Sequence, residues 1–475
     1  MYTYNDLLEC GTDEQKRVDF ILTAIADHKK SDIYKWAVDA DLYIRQKNST
    51  IMNYVKFLYT LRGNCVPDNY SANHKTASNF YKRFITQEIE YLLANGVSFA
   101  KEDTKKKLGD MKFDRIIKKL AKSALNGAES FGFWDNGKIV PFTIQEYIPL
   151  LDEEDGAMKA GIRFWRLADN KPMRATLYEM DGFTDYMEND KGVMKIKQNK
   201  RPYKQFIRTT EADGEEIYGG ENYPTFPIVP MWGNDEHQSE LVGLKTEIDA
   251  YDLIKSGFAN DLDDVSQIYW ILQNAGGMDE ENIAEFLDQI RRTHAALLDE
   301  DGATAEAHTI EVPYQSRETY LTRLESDMYY DAMAMNAKDI TAGNITATAI
   351  KAAYDNLDQK ANELMSNVEE FIEEILTLAG IDDKPSFKMN RISNDTETTQ
   401  NILSASEYLD TETILEKLPF VDKEEIQIIL ERLAKEELDR FEPLSGGAEN
   451  EEGQGEEMDG QTPQRDGETP TEDLP

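Results

Sequence analysis

A seven-residue repeat in the last third of the chain constrains its fold more than any other feature. Ile350, Leu357, Leu364, Phe371 and Leu378 recur at strict heptad spacing, and Tyr354, Ala361, Val368 and Ile375 make a second seam. The pattern predicts one helix from Thr346 to Ala379, roughly 50 Å long at ~1.5 Å per residue. Thr346 can cap its start and Gly380 its end. The parts preceding it read in a fixed order. An amphipathic helix over 240–262 places Leu241, Leu244, Ile248, Tyr251, Phe258 and Leu262 on one stripe. A compact insert then runs to about Pro313 and opens with a strand, Gln267-Ile268-Tyr269-Trp270-Ile271-Leu272, closed by Gly276-Gly277. A short helix (Glu281 to Arg292) and a hairpin around Asp301-Gly302, with His308 to Val312 as its return strand, complete the insert. A second helix spans about Arg317 to Ala337, followed by the polar loop Asp339-Ile340-Thr341-Ala342-Gly343-Asn344-Ile345. Helix, insert, helix, loop and long helix suit a protein that lines something and assembles around it.

Ninety-one acidic residues against 52 basic ones give this 475-residue chain a formal charge of −39. The stretch from Ser445 to Pro475 holds ten acids and one Arg, so −30 stays on the body. Such a body repels nucleic acid and anionic membrane at long range, which argues against a sequence-reading DNA binder. Cys10 and Cys65 show no CxxC or Cys/His spacing, as expected of a reducing compartment without a disulfide framework. The N-terminal Met-Tyr-Thr-Tyr-Asn-Asp has no secretory pattern, and no apolar run approaches the ~20 residues that span a bilayer. No membrane partner is expected.

Residues 12–62 read as helical, with Val18, Ile21, Leu22 and Ile25 and then Ile51, Tyr54, Val55 and Leu58 at helical spacing. Ala77 to Leu93 is a further amphipathic helix stopped by Asn95-Gly96, and 104–126 another stopped by Asn126-Gly127. From Glu129 the period changes to that of strands. Phe131 to Val140 is a hairpin turning at Asn136-Gly137; Ile162 to Leu167, Ala175 to Met180 and Val193 to Ile196 continue an antiparallel sheet. Pro224, Pro227 and Pro230 mark an extended segment that closes the region. The expected fold class is α+β and mainly helical. Beyond the long helix, a short strand (Pro385 to Ile392) precedes two or three small helices over 396–441, with Pro419 between them. Residues 445–475 have the composition of a disordered tail.

Catalytic patterns are missing. His28, His74, His237, His294 and His308 have no ligand or nucleophile at helical or hairpin spacing, and no GxxxxGK[ST] phosphate loop occurs. Asp261, Asp263 and Asp264 fit either a two-metal nuclease site or a solvated helix end. Leu298-Asp299-Glu300-Asp301-Gly302 lacks the later bidentate Glu of a calcium loop and reads as a turn. No catalytic, cofactor or metal residue is assigned. Two basic stretches interrupt the acidic field: Lys101 to Lys122, net +5, and Lys191 to Arg208, with seven basic residues and no acid. Each is a solvated face, a nucleic-acid contact or a surface for an acidic neighbouring subunit.

Several of these pieces, taken in order, carry a resemblance. Pro230-Met231-Trp232-Gly233-Asn234, Ile248-Asp249-Ala250-Tyr251-Asp252, the Gln267–Leu272 strand, Val312-Pro313, and Gly343-Asn344 ahead of Ala349-Ile350-Lys351-Ala352-Ala353-Tyr354 and Leu357-Asp358 resemble portal (head–tail connector) proteins of tailed phages, siphophage type. Element order agrees over about 20–440. Where that family favours Ser-Gly after the Gly-Asn pair, this chain has Thr346-Ala347, which keeps a capping hydroxyl and stiffens the loop. The resemblance implies a portal fold with wing, stem, clip and crown. It implies a ring of twelve subunits at one capsid vertex, double-stranded DNA passing through without sequence reading, and no cofactor. Implied partners are the terminase large subunit, a head–tail adaptor, and major capsid and scaffold proteins.

By position the resemblance implies a wing over 1–237, stem helices over 238–262 and 317–337, a clip over 263–316 and a tunnel loop over 338–346. The long wing helix would be 347–380, a connecting strand 381–393, the crown 394–443 and an acidic tail 444–475. The implied stem residues are Leu244, Ile248, Tyr251, Phe258, Leu321, Leu324 and Met328, and the clip residues Ile268, Tyr269, Trp270, Ile271 and Leu272. The DNA-facing residues would be Lys338, Asp339, Ile340, Thr341, Ala342, Gly343, Asn344, Ile345 and Thr346. An acidic coiled-coil scaffold without a channel is the alternative reading of the heptads.

Overall fold

The computed structural model describes residues 2–59, 63–69, 71–209, 216–264, 269–273, 285, 288, 304–308, 314–336, 347–391, 395–418, 421 and 423–441. The chain divides into two compact units, Met1–Ser393 and Asn394–Pro475.

The first unit opens with α1 (Tyr4–Glu9), α2 (Glu14–His28), α3 (Asp32–Ile44) and α4 (Ser49–Met52). The side chains of Thr3, Asp13 and Ser31 cap the first three through the next backbone N–H groups. The helical reading of 12–62 is corrected beyond Met52: β1 (Phe57–Tyr59) pairs with β2 (Cys65–Pro67). Tyr54 and Val55 are exposed there, and the aromatic and β-branched content of that run favours a strand over its helical spacing.

Next come α5 (Phe80–Leu93), β3 (Val97–Phe99), α6 (Glu102–Lys107) and α7 (Phe113–Gly127). The single helix expected over 104–126 is therefore broken. Gly109 adopts φ +110° between α6 and α7, a conformation that ends a right-handed helix. The stop after α7 also differs from the expected glycine cap. Ala128, not Gly127, takes positive φ, and a Cβ on Gly127 would lie 2.6 Å from Ile144 Cγ2. Gly127 is there for packing.

Strands follow in chain order: β4 (Glu129–Trp134), β5 (Ile139–Thr143), β6 (Tyr147–Leu151), β7 (Met158–Trp165), β8 (Arg174–Glu179), β9 (Gly182–Glu188) and β10 (Met194–Arg201). β11 (Lys204–Thr209) and β12 (Glu216–Glu221) form a separate hairpin, and β13 (Ile228–Trp232) returns to pair with β4. A three-stranded sheet runs β13-β4-β5 and a five-stranded antiparallel sheet β10-β9-β8-β7-β6. The period of two sorts the larger sheet between two cores. Ile148, Leu150, Ile162, Leu177 and Tyr186 pack with α1 and α2, whereas Tyr147, Tyr178 and Phe183 face the main core with α7 and the smaller sheet.

The remaining elements are α8 (Leu241–Asp264), β14 (Tyr269–Gln273), β15 (Thr304–His308), α9 (Tyr314–Asp331), α10 (Ala347–Ala379) and β16 (Pro385–Phe387). β14 pairs directly with β15; of the strand expected over 308–312 only His308, the last residue of β15, is among the described residues. The turn at Asp301-Gly302 and, apart from 285 and 288, the helix expected over 281–292 lie outside the described residues. α9 stops six residues before Ala337; the chain reverses at Met333, which takes φ +51°. α10 matches the heptad prediction, with Gly380 at φ +67° beyond its end, while Thr346 lies outside the described residues. Its two seams, Leu357, Leu364, Phe371 and Leu378 with Tyr354, Ala361, Val368 and Ile375, are buried inside the subunit. A Cβ on Gly132 of β4 would lie 2.4 Å from the Phe371 ring. The coiled-coil alternative is corrected on this ground, because the seams are covered by the chain's own α5 and smaller sheet.

The second unit holds α11 (Asp395–Ser404), α12 (Thr411–Lys417) and α13 (Lys423–Phe441), and Pro419 and the acidic tail lie outside the described residues. No helix among the described residues is long and apolar enough to cross a membrane.

Candidate functional site

α8 and α9 form an antiparallel hairpin. Toward its tip the Phe258 and Tyr314 rings meet edge-on at 5.5 Å and Arg317 pairs with Asp261. At its base Leu241, Leu244, Ile248, Met328 and Ala332 enter the main core. The expected apolar stripe is thus graded. Leu244, Ile248, Leu324 and Met328 are buried, Tyr251, Phe258 and Leu321 are half-buried, and Leu262 is exposed. Between the helices Glu247 shares a hydrogen bond with Asp331. Burial first, then Asp331 and Asp327, push the Glu247 carboxyl up to about 7.

The other face of α8 is polar and equally organised. The backbone N–H groups of His74, Thr76 and Ser78 donate to Asn260 Oδ1, Ser256 Oγ (2.9 Å) and Asp252 Oδ1 (2.7 Å). Four helical residues rise about 6 Å, and two extended residues advance roughly 6.6 Å. The two periods match, so alternate N–H groups meet one helix face at every fourth residue. Nearer the base, Asp249 accepts from the Tyr43 hydroxyl, Thr50 Oγ1 (2.7 Å) and Lys245 Nζ (2.6 Å). The spacing of Lys245, Asp249, Asp252, Ser256 and Asn260 was the legible signal for this zipper, which reading only the apolar stripe misses.

Three locks hold the base of the hairpin. Lys360 of α10 reaches Glu240 (2.7 Å), Glu88 of α5 (3.2 Å) and the Ala332 carbonyl (3.3 Å). Burial pushes Glu88 up to about 7; burial opposes the charge on Lys360, which Glu88 and Glu240 nonetheless hold above its usual range. The Gln87 amide then clamps Met335, donating to its carbonyl (2.9 Å) and accepting from its N–H (3.1 Å). Tyr91 of α5 stacks on Tyr354 of α10 at 5.5 Å, and Arg391 donates to the Tyr91 hydroxyl (2.7 Å) and to Asp358 of α10 (2.6 Å). The Trp232-Gly233-Asn234 motif seats the start of α8. A Gly233 Cβ would lie 2.6 Å from the Ala124 carbonyl oxygen, and Asn234 bonds Gln238 and Glu240.

The chain is therefore fixed at Met335 and resumes as α10 at Ala347. The loop residues Lys338 to Thr346 lie outside the described residues, as does Ile268, while Tyr269 to Leu272 sit on β14. Asp261 and Asp263 diverge, the first to Arg317 and the second to His74. Among the described residues no group of three His, Cys, Asp or Glu side chains is placed to hold a metal ion.

The chain is 27% identical over 388 residues to the portal protein of Clostridium phage phiCD119, covering 74% of this chain and 83% of the relative. It is 26% identical over 435 residues to the portal protein of Bacillus phage SPP1, covering 83% and 82%. A chain in the neck of a native gene transfer agent particle, computed with C12 symmetry, superposes with a TM-score of 0.41 at 10% identity, covering 72% of this chain and 89% of that one. Residues 24–438 match the family described as phage portal protein, SPP1 Gp6-like, and the chain belongs to that family of bacteriophage portal proteins.

Proposed function

We propose that this chain assembles into a closed ring, of twelve subunits by family resemblance, at one vertex of a capsid in the virion, and that the ring is a structural conduit for double-stranded DNA. The observation that carries the reading is the α8–α9 hairpin. It is rooted in the core, carries the β14–β15 insert at its tip, and passes through the Lys360 and Gln87 locks into residues 338–346. In this reading α8 and α9 are the stem, 263–316 the clip that meets the terminase and later the head–tail adaptor, and 338–346 the tunnel loop. Residues 1–237 with α10 are the wing, and 394–443 the crown.

Electrostatics favours a conduit over a clamp. Proteins that grip DNA collect phosphate contacts whose affinity comes from counterion release. Twelve subunits of −39 total roughly −470, a field that discourages phosphates from settling on the wall. The force for packaging would come from a separate ATPase, and the chain itself would perform no catalysis.

Electron microscopy of the purified chain tests the ring: closed rings with a hole wide enough for B-form DNA are expected. A small dimer at every salt concentration would sink the proposal. Ile345→Lys should lower DNA packaging in vitro while rings still form, and unchanged packaging would remove 338–346 from the channel wall.

A further inference from the structure

Glu129, the first residue of β4, is 6% exposed, and among the described residues no hydrogen bond or ion pair reaches its carboxyl. It lines a cavity of about 710 Å³ whose walls include Phe131, Leu151, Met158, Ile228 and Leu378. Glu374 and Thr377, one turn apart on α10, complete the rim, and no Lys or Arg lines it. A second cavity of about 540 Å³ adjoins through Glu129, with Asp6, Asp27 and His28 on its wall and again no Lys or Arg. A buried carboxyl is ordinarily paired. This one faces apolar walls that fit an aliphatic stem and lacks the cation that would end it.

The chain carries such groups elsewhere. Lys195 and Lys197 on β10 are exposed, and neither makes an ion pair within the subunit among the described residues, unlike Lys200 and Arg201 beside them. Topology separates the two features. β6, which contributes Pro149 and Leu151 to the cavity, is one edge of the five-stranded sheet, and β10 is the other. Four interstrand steps of ~4.8 Å put them about 19 Å apart, beyond the reach of a lysine side chain, so Lys195 and Lys197 do not enter the cavity of their own subunit. β10 is also bulged at Ile196/Gln198 and Gln198/Arg201, which spoils it as a template for strand addition and leaves its side chains to make contact.

We propose that in the assembled ring Lys195 and Lys197 on the β10 edge of one subunit seat in the Glu129 cavity at the β6 edge of a second copy. The contact is heterologous, cation edge to carboxyl cavity, which is the type that propagates around a ring. It rests on the ring reading above and adds to it the surfaces that meet. An ammonium beside Glu129 supplies the missing counter-charge, and the Lys stem covers apolar wall otherwise open to water.

The test uses the full chain. Zero-length carbodiimide coupling of assembled rings should join peptides bearing Lys195 or Lys197 to peptides bearing Glu129 or Glu374, between isotopically distinct subunits. Lys195→Glu/Lys197→Glu alters only exposed side chains, so its melting temperature should match that of the parent chain while ring yield falls at least tenfold. Normal ring yield from this variant, together with no such cross-link in rings of the unaltered chain, overturns the contact and leaves the ring reading standing. Failure of the unaltered chain to form any ring sinks the ring reading and this contact with it.

Discussion

Asp252 has no exposed surface, yet it sits in the middle of α8 and accepts from Ser78 N–H and the Asn48 amide. Replacing it with Ala strands two buried donors, so Asp252→Ala should cost about 2–4 kcal/mol, read as a lower urea midpoint. A change below 1 kcal/mol would show the zipper to be incidental to stability. Glu129 offers the opposite sign. Burial pushes its carboxyl up to about 7, above the ordinary 4.5. A raised folded value means that the folded chain holds the proton more tightly than the unfolded chain. Stability from this group is therefore complete below about pH 4.5 and is lost as pH rises through 7. Glu129→Gln mimics the protonated form. Measured on unassembled chain, it should match the parent at pH 5 and exceed it at pH 8 by about 1–3 kcal/mol. Equal stability at both pH values would place a counter-charge on Glu129 already in the single subunit. Asp252 could have been read from the polar spacing it shares with Ser256 and Asn260, but Glu129 could not, because an isolated Glu among 91 acids carries no mark of burial.

Long elements were legible where a period repeats often enough to exceed chance. The heptads of α10 ran through five successive apolar positions, and the whole helix followed, though its seams close on the chain's own core rather than on a partner. Boundaries set by a single backbone torsion were not legible. Gly109 splits what charge and periodicity read as one helix, and Met333 ends α9 early although nothing in its side chain demands φ +51°. The tie between elements was equally hidden: Glu88, Glu240 and Lys360 are far apart in sequence and meet only because α5, α8 and α10 converge. That tie can be measured. Lys360→Met keeps the volume but leaves Glu88 buried without its cation, and should cost about 3–5 kcal/mol. Adding Glu88→Gln should recover a substantial part. A double variant no more stable than the single one would show that Lys360 acts through Glu240 and the Ala332 carbonyl alone.

At the scale of the molecule, the order helix, strand pair, helix and long helix between 241 and 379 was readable because each of these elements has its own composition. The loop that would meet DNA is a short polar run with no period, so its shape was never in the sequence pattern. The division into Met1–Ser393 and Asn394–Pro475 raises a question of cooperativity. The two large hydrophobic cores and the hairpin locks all belong to residues before 394, and among the described residues of the second unit only Ile426 is a buried apolar side chain. Hydrophobic burial sets most of a domain's stability, so a chain ending at Ser393 should melt within about 2 °C of the full chain, given that 1 kcal/mol moves a domain of this size by roughly 2–4 °C or less. If 394–443 is a crown added to a self-sufficient body, calorimetry of the full chain should also show a smaller, separate transition that disappears in the truncated one. One shared transition, lowered by 10 °C or more on truncation, would mean that the body depends on the C-terminal helices for its fold.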